Sequence, residues 1–247
     1  MNAYLILSDI HSNLDALEAV LASVEGEWDR LVVLGDLVGY GGEPNGVIDR
    51  IRELNPVAII RGNHDKAACG IDDASNFNQI AKYAAMWTGE TLTQDNRDYL
   101  RTLPSGPLML DDRVEICHGS PFDEDHYIFD AEDAQRALDT SERQLCLFGH
   151  THLPVIFQTD GQALEGFVPE GETRLPLVLR EGIRYAVNAG SVGQPRDGDA
   201  RAAFAIYTPD TLTLELRRID YAIDAAQRRI IVAGLPASLA NRLAVGR

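Results

Sequence analysis

Five of the six histidines of this chain, His11, His64, His118, His150 and His152, stand just beyond short apolar runs, in the company of Asp9, Asp36 and Asn63. Imidazole with carboxylate and amide oxygen, and no thiolate, is the donor set of a hydrolytic divalent-cation site. Eight such groups are more than one ion takes from a protein, so the pattern calls for two ions. Two ions about 3.5 to 4 Å apart need a carboxylate that bridges them. A water held between them loses a proton near neutral pH, and the pair clamps a phosphoryl group for in-line attack.

The spacing adds detail. In Asp9-Ile10-His11 an extended strand end would point residues i and i+2 to one side, so that both reach one ion while Ile10 turns to the core. His150 and His152 repeat that spacing behind Gly149, where the missing side chain lets the backbone approach closely. Gly35-Asp36 sets one carboxylate at the next strand end, where a bridging position would lie. Gly62-Asn63-His64-Asp65 offers a neutral amide ligand, then a histidine whose orientation and basicity Asp65 is placed to control.

Residues so far apart need elements that bring them together. Apolar runs at 3–7, 31–34 and 57–60 read as strands, with helical spacing between them at Leu14, Leu17, Leu21 and Val24, and again at Val47, Ile48, Ile51 and Leu54 behind Pro44. This alternation predicts parallel strands whose carboxyl ends share one sheet edge, the edge where ligands bind in open α/β sheets. Residues 66–107 interrupt it, with helices expected over 79–87 and 95–103, and read as an inserted helical cap. A hairpin over 108–117 leads to His118, and a strand at 145–148 leads to His150 and His152. From 155 to 216, turn signals at Asp160-Gly161, Glu181-Gly182 and Pro209-Asp210 separate mostly antiparallel strands. An amphipathic helix over 223–233 and a last short one complete a helical segment at 217–247. With no repeat or linker, residues 1–247 read as one domain.

Composition narrows the partners. With 45% hydrophobic and 24% charged residues the chain reads as globular, and 22 basic against 38 acidic residues leave a net charge of −16. That balance opposes long nucleic acid and anionic membrane while leaving nucleotides open, and it says nothing of oligomeric state. No run approaches the roughly 18 to 20 apolar residues of a membrane span, and the start lacks a signal-peptide pattern, so a cytoplasmic setting is expected. Cys69, Cys117 and Cys146 form no CxxC pair and read as small buried side chains.

Taken in order, Asp9-x-His11, Gly35-Asp36, Gly62-Asn63-His64-Asp65, His118 and Gly149-His150-x-His152 resemble the five signature blocks of the calcineurin-like metallophosphoesterases. Asp9-Ile10-His11-Ser12-Asn13, the run Asn188 to Arg196 and Gly234-Leu235-Pro236 are similar to a bacterial branch of phosphoesterase and protein-phosphatase-like proteins. The resemblance implies an α/β fold, a four-layer sandwich of two mixed β-sheets flanked by helices. It implies that Asp9, His11 and His152 bind one ion, that Asn63, His118 and His150 bind the other, and that Asp36 bridges. His64 would contact the phosphate and serve the leaving group as acid or as electrostatic stabiliser, with Asp65 as its partner. The implied activity is hydrolysis of a phosphate diester or monoester, on a small ester or nucleotide, by a hydroxide bridging two divalent ions. Manganese is foremost, with iron, zinc, nickel or magnesium also suited to the donors. The alternative is a metal-binding scaffold of the same fold that acts through protein partners.

Other residues carry bland readings beside functional ones. Tyr40 is a candidate pocket residue or an ordinary turn residue, and Arg196 a candidate phosphate contact or a surface ion pair. Gly39 to Pro44 is not a dinucleotide loop, because Pro44 takes the last glycine position. Ser191 reads as part of a tight loop rather than a nucleophile. His126 reads as a solvated loop residue, Asp15 and Glu18 as exposed helix residues, and Met86 and Trp87 as helix packing.

Overall fold

The computed structural model describes residues 2–247. β1 (Tyr4–Leu7), β2 (Arg30–Val33) and β3 (Ala58–Ile59) run parallel at one side of a six-stranded sheet. α1 (Leu14–Ser23) and α2 (Pro44–Glu53) connect them. Asn13 caps α1 by accepting the Ala16 N–H at 3.1 Å, and Pro44, whose missing N–H costs nothing in a first turn, opens α2. The sheet continues in the order β3-β2-β1-β11-β12-β9, with β9 (Arg174–Val178), β11 (Ala202–Thr208) and β12 (Thr213–Ile219) antiparallel to their neighbours.

The second sheet has the order β4-β5-β6-β10-β7-β8. Its members are β4 (Leu108–Met109), β5 (Val114–Ile116), β6 (Leu145–Phe148), β7 (Val155–Thr159), β8 (Leu164–Phe167) and β10 (Arg184–Asn188). β5, β6 and β10 are parallel, and the other pairings are antiparallel. The apolar runs are continuous because each strand faces two layers. On β1, Leu5 and Leu7 pack under α1 and α2, while Tyr4 and Ile6 join Leu145, Leu147 and Val187 between the sheets. On β6, Cys146 and Phe148 turn the other way, toward α6 (Ala131–Thr140). Helix, sheet, sheet and helix make the expected four layers.

The remaining helices are α3 (Asn63–Cys69), α4 (Gln79–Thr91), α5 (Gln94–Thr102), α7 (Ile223–Val232) and α8 (Ala237–Leu243). Two depart from expectation. The loop expected after β3 is already helical at Asn63, so the helical insert begins three residues before Lys66. The sequence reading has no counterpart for α6, where only Ala134, Ala137 and Leu138 are buried in an otherwise polar helix that Asp130 caps. α4, α7 and α8 bury Ala81, Ala84, Ala226, Ile230 and Leu239 around Tyr40. Trp87 packs there too, whereas Met86 is exposed. The three cysteines are buried and free, with the Cys117 and Cys146 sulfurs 3.6 Å apart. His126 is half-buried rather than solvated: its Nε2 lies 2.7 Å from Asp133 Oδ1 and its ring rests on Phe122. Asp15 receives Arg229 Nε at 2.8 Å and Glu18 receives Arg50 Nε at 2.8 Å, so neither acid is a bare surface charge.

Candidate metal centre

The carboxyl ends of β1, β2, β5 and β6 meet the start of α3 across the two sheets. The chain does not arrive there extended. Asp9, His11, Asp36, His150 and His152 have φ of 53°, 49°, 53°, 67° and 60°. The same-side placement of Asp9 with His11, and of His150 with His152, therefore comes from left-handed turns and not from strand alternation. That conformation costs an L-residue roughly 1–2 kcal/mol, and it persists because hydrogen bonds over-determine it. Asp9 N donates to Gly35 O, His11 N to Asp36 O, Gly193 N and Ser191 Oγ to Asp9 O, and His150 N to the Asp9 carboxylate. Gly149 meets its expectation: a Cβ there would stand 2.0 Å from Ser8 Oγ.

Asp9, His11, Asp36 and His152 form one group of potential metal ligands, and Asp36, His118 and His150 a second; all are buried. Each group draws residues from both sheets. Asn63 joins the second group, with its Oδ1 3.3 Å from His118 Nε2. Backbone carbonyls fix the imidazole tautomers, since a carbonyl only accepts. The Nδ1–H groups of His11, His118 and His152 donate to Val38 O, Leu34 O and Gln194 O at 2.9, 2.8 and 2.6 Å, and His150 Nε2–H donates to Asp125 O at 3.0 Å. In its neutral form each ring thus carries a lone pair on its other nitrogen. His11 and His152 turn theirs toward one another at 3.0 Å, and Asp36 Oδ2, buried with no hydrogen-bond partner, lies 3.5 Å from His11 Nε2 and 3.4 Å from His118 Nε2. Converging lone pairs repel on their own and are favourable around a divalent cation, so these residues fit metal.

The electrostatics agree. Burial works to raise Asp36, yet the His118 charge beside it holds it well below the ordinary carboxylate value. Burial lowers His118, and Asp36 more than reverses this, pushing it up to about 10. Burial also drives Asp9 up to about 6 and His11, His150 and His152 well down. The centre favours positive charge at the ions' place over protonation of three of its histidines.

Around this core the expectations divide. His64 packs on Tyr40, Phe77 and His11 with ring centroids 4.4, 4.7 and 5.0 Å away, and its backbone N donates to Asp36 Oδ1 at 2.9 Å. Asp65 is not its partner. The Asp65 carboxylate caps α3 by accepting Gly62 N at 2.9 Å and Val38 N at 3.2 Å, while His64 Nδ1 is buried without a hydrogen bond. Burial pushes Asp65 up to about 7 and His64 down to about 4. Tyr40 is buried 4.8 Å from the His11 ring, and Arg196 stands over it with Cζ 5.6 Å from the ring centroid. Among the described residues Arg196 makes no surface ion pair, and it donates instead to Gln194 Oε1 at 3.0 Å. Tyr127, which carries no signal in the sequence, stacks on His150 at 3.7 Å and 20°.

A two-sheet sandwich whose strand ends gather paired Asp, Asn and His ligands defines a class of proteins built to hold divalent metals. This chain belongs to the calcineurin-like phosphoesterase superfamily, whose domain matches residues 3–211. It is 33% identical to the uncharacterized protein MJ0912 of Methanocaldococcus jannaschii over 98% of this chain and 97% of that one. It is similar to the crystal structure of a metallophosphoesterase from Sphaerobacter thermophilus, at 38% identity and TM-score 0.88 over 99% of this chain and 100% of the other. The hypothetical protein PH1004 of Pyrococcus horikoshii shares the fold at TM-score 0.80 and 23% identity, over 100% and 99% of the two chains. Family and ligand geometry together imply divalent metals and a phosphoesterase. No helix among the described residues is long and apolar enough to cross a membrane.

Proposed function

We propose that this protein hydrolyses a small phosphate ester or nucleotide with two divalent ions, manganese foremost. Asp9, His11 and His152 hold one ion, Asn63, His118 and His150 the other, and Asp36 holds both. The observation that carries this reading is Asp36, shared by both ligand groups, with one oxygen engaged by His64 N and the other unpartnered between His11 and His118. When bound, such ions polarise a phosphoryl oxygen and lower the pKa of a water they share. His64 meets the phosphoryl group from the Tyr40 side and serves the leaving oxygen. Backbone bonds at Nδ1 of His11, His118 and His152 keep those rings from turning away as charge moves. The free, buried cysteines favour a reducing, cytoplasmic setting.

The test is hydrolysis of bis-p-nitrophenyl phosphate beside p-nitrophenyl phosphate by chelator-treated protein, with and without added manganese, and by His64→Ala. We expect turnover that appears with metal and falls in His64→Ala while metal content holds. A preference for the first substrate marks a diesterase, and for the second a monoesterase. No metal-dependent turnover of either would favour a narrower substrate or the scaffold, and weak metal uptake would favour the scaffold of the two.

A further inference from the structure

Two arginines stand over one tyrosine beside the candidate metal centre. Arg196 Cζ lies 5.6 Å and Arg242 Cζ 6.0 Å from the Tyr40 ring centroid, and that ring touches His11 and His64. Arg242 comes from α8, outside the residues that the superfamily domain matches. Among the described residues neither guanidinium reaches an Asp or Glu, whereas nearby Arg229 pairs with Asp15 and Glu43, and Arg218 with Asp197. Arg196 spends one N–H on Gln194, and its buried Nε has no partner; Arg242 Nε donates to Arg247 O. Each side chain keeps further N–H groups, because a guanidinium carries five. Both guanidiniums are partly buried and carry like charge over one ring, and the Arg196 charge has no Asp or Glu partner among the described residues, an arrangement that an added anion would stabilise. In a chain of net charge −16 with carboxylates to spare, that pairing is a binding feature rather than a default.

Beyond Tyr40 an open cleft of about 530 Å³ runs between α4 and α8, lined by Tyr40, Asn78, Ile80, Leu239 and Arg242 among others. Its size suits a nucleoside or sugar unit. α8 is held in place by Gln227 Nε2, which donates to Ala240 O at 2.9 Å, and by packing of Leu239 and Leu243 around Tyr40. We infer that Arg196 and Arg242 form an anion subsite for a second phosphoryl group, so that the preferred substrate is a phosphate ester bearing another phosphate elsewhere in the same molecule. The planar forks match phosphoryl oxygens two at a time. This inference rests on the phosphoesterase reading for its substrate, and on the arginine pair alone for its anion.

The test uses the metal-loaded full chain and two substrates that differ by one phosphate: thymidine 5′-p-nitrophenyl phosphate and its 3′-phosphorylated form. In the wild type kcat/KM should favour the 3′-phosphorylated substrate by about tenfold or more, chiefly through KM. In Arg242→Gln the ratio should fall to near one, and Arg242→Lys should recover part of it, as a purely structural role for α8 would not. Binding by calorimetry of thymidine 3′,5′-bisphosphate against thymidine 5′-monophosphate supplies an arm independent of turnover. A wild-type ratio near one, or a ratio retained in Arg242→Gln, overturns the subsite. If neither ester is hydrolysed but the bisphosphate binds more tightly in an Arg242-dependent way, the hydrolase reading fails and the anion subsite stands.

Discussion

Asp36 divides its two oxygens between scaffold and centre, Oδ1 accepting His64 N and Oδ2 facing two imidazoles. Asp36→Asn keeps the first contact and halves the charge available to two ions. We expect it to lose bound metal by plasma emission and more than about 100-fold in activity. Ser191 acts one step further out, since its hydroxyl donates to Asp9 O at 2.7 Å and accepts Gln194 N at 2.8 Å, and Gln194 O orients His152. Ser191→Ala should weaken metal affinity by about 10-fold and destabilise the fold by about 1–3 kcal/mol, because a buried N–H is orphaned; unchanged manganese titration would refute that link. At this scale the candidate ligands were legible because histidine and carboxylate after apolar runs have few other reasons to sit there. Tyr127 and Arg242 were not, for tyrosine and arginine reach the centre through packing that spacing does not record. Asp65 misled because adjacency in sequence to His64 is not contact: in the first turn of a helix an acid at the third position turns back to its own N-terminus.

Among the elements, the segment after β5 has no regular structure and yet must hold His150 by the Asp125 carbonyl. α3 supplies the anchor. Lys66 Nζ reaches Glu124 and Asp125 at 3.0 and 2.6 Å, and Arg61 grips Glu124 with two bonds of 3.1 Å. Burial works to raise Glu124, but the hydrogen bonds from Arg61 and Lys66 outweigh it and keep the carboxyl below its ordinary 4.5. A lowered folded value gives stability that is present above 4.5 and lost as pH falls through the folded value. The gap in urea stability between wild type and Glu124→Gln should thus be widest near neutral pH and narrow as the pH falls below 4.5; a gap that does not change with pH would remove the ion pairs from the account. Strands and amphipathic helices were legible from apolar spacing. α6 escaped because its apolar residues are three alanines and one leucine in an otherwise charged and polar run, too weak a stripe to stand out, and the early start of α3 because Gly62-Asn63-His64 looks like loop until the capping of Gly62 N by Asp65 is seen.

For the whole molecule, the order of parallel strands followed from alternation, whereas the return of β11 to pair with β1, which builds the first sheet across 200 residues of sequence, has no local sign. Metal joins what that topology brings together. Chelation should lower Tm by about 5–10 °C relative to protein with free manganese near 100 times its Kd, read by differential scanning calorimetry. Both ligand groups take members from both sheets, and this sets the order of events in time. Neither candidate ligand group is complete until the sheets have docked, so we expect ion binding to follow the fold rather than guide it. Manganese in stopped-flow experiments should leave the refolding arm of the chevron where it was and slow the unfolding arm alone. On that expectation the ions would act as a latch on a finished sandwich, setting how long it stays closed rather than how fast it forms.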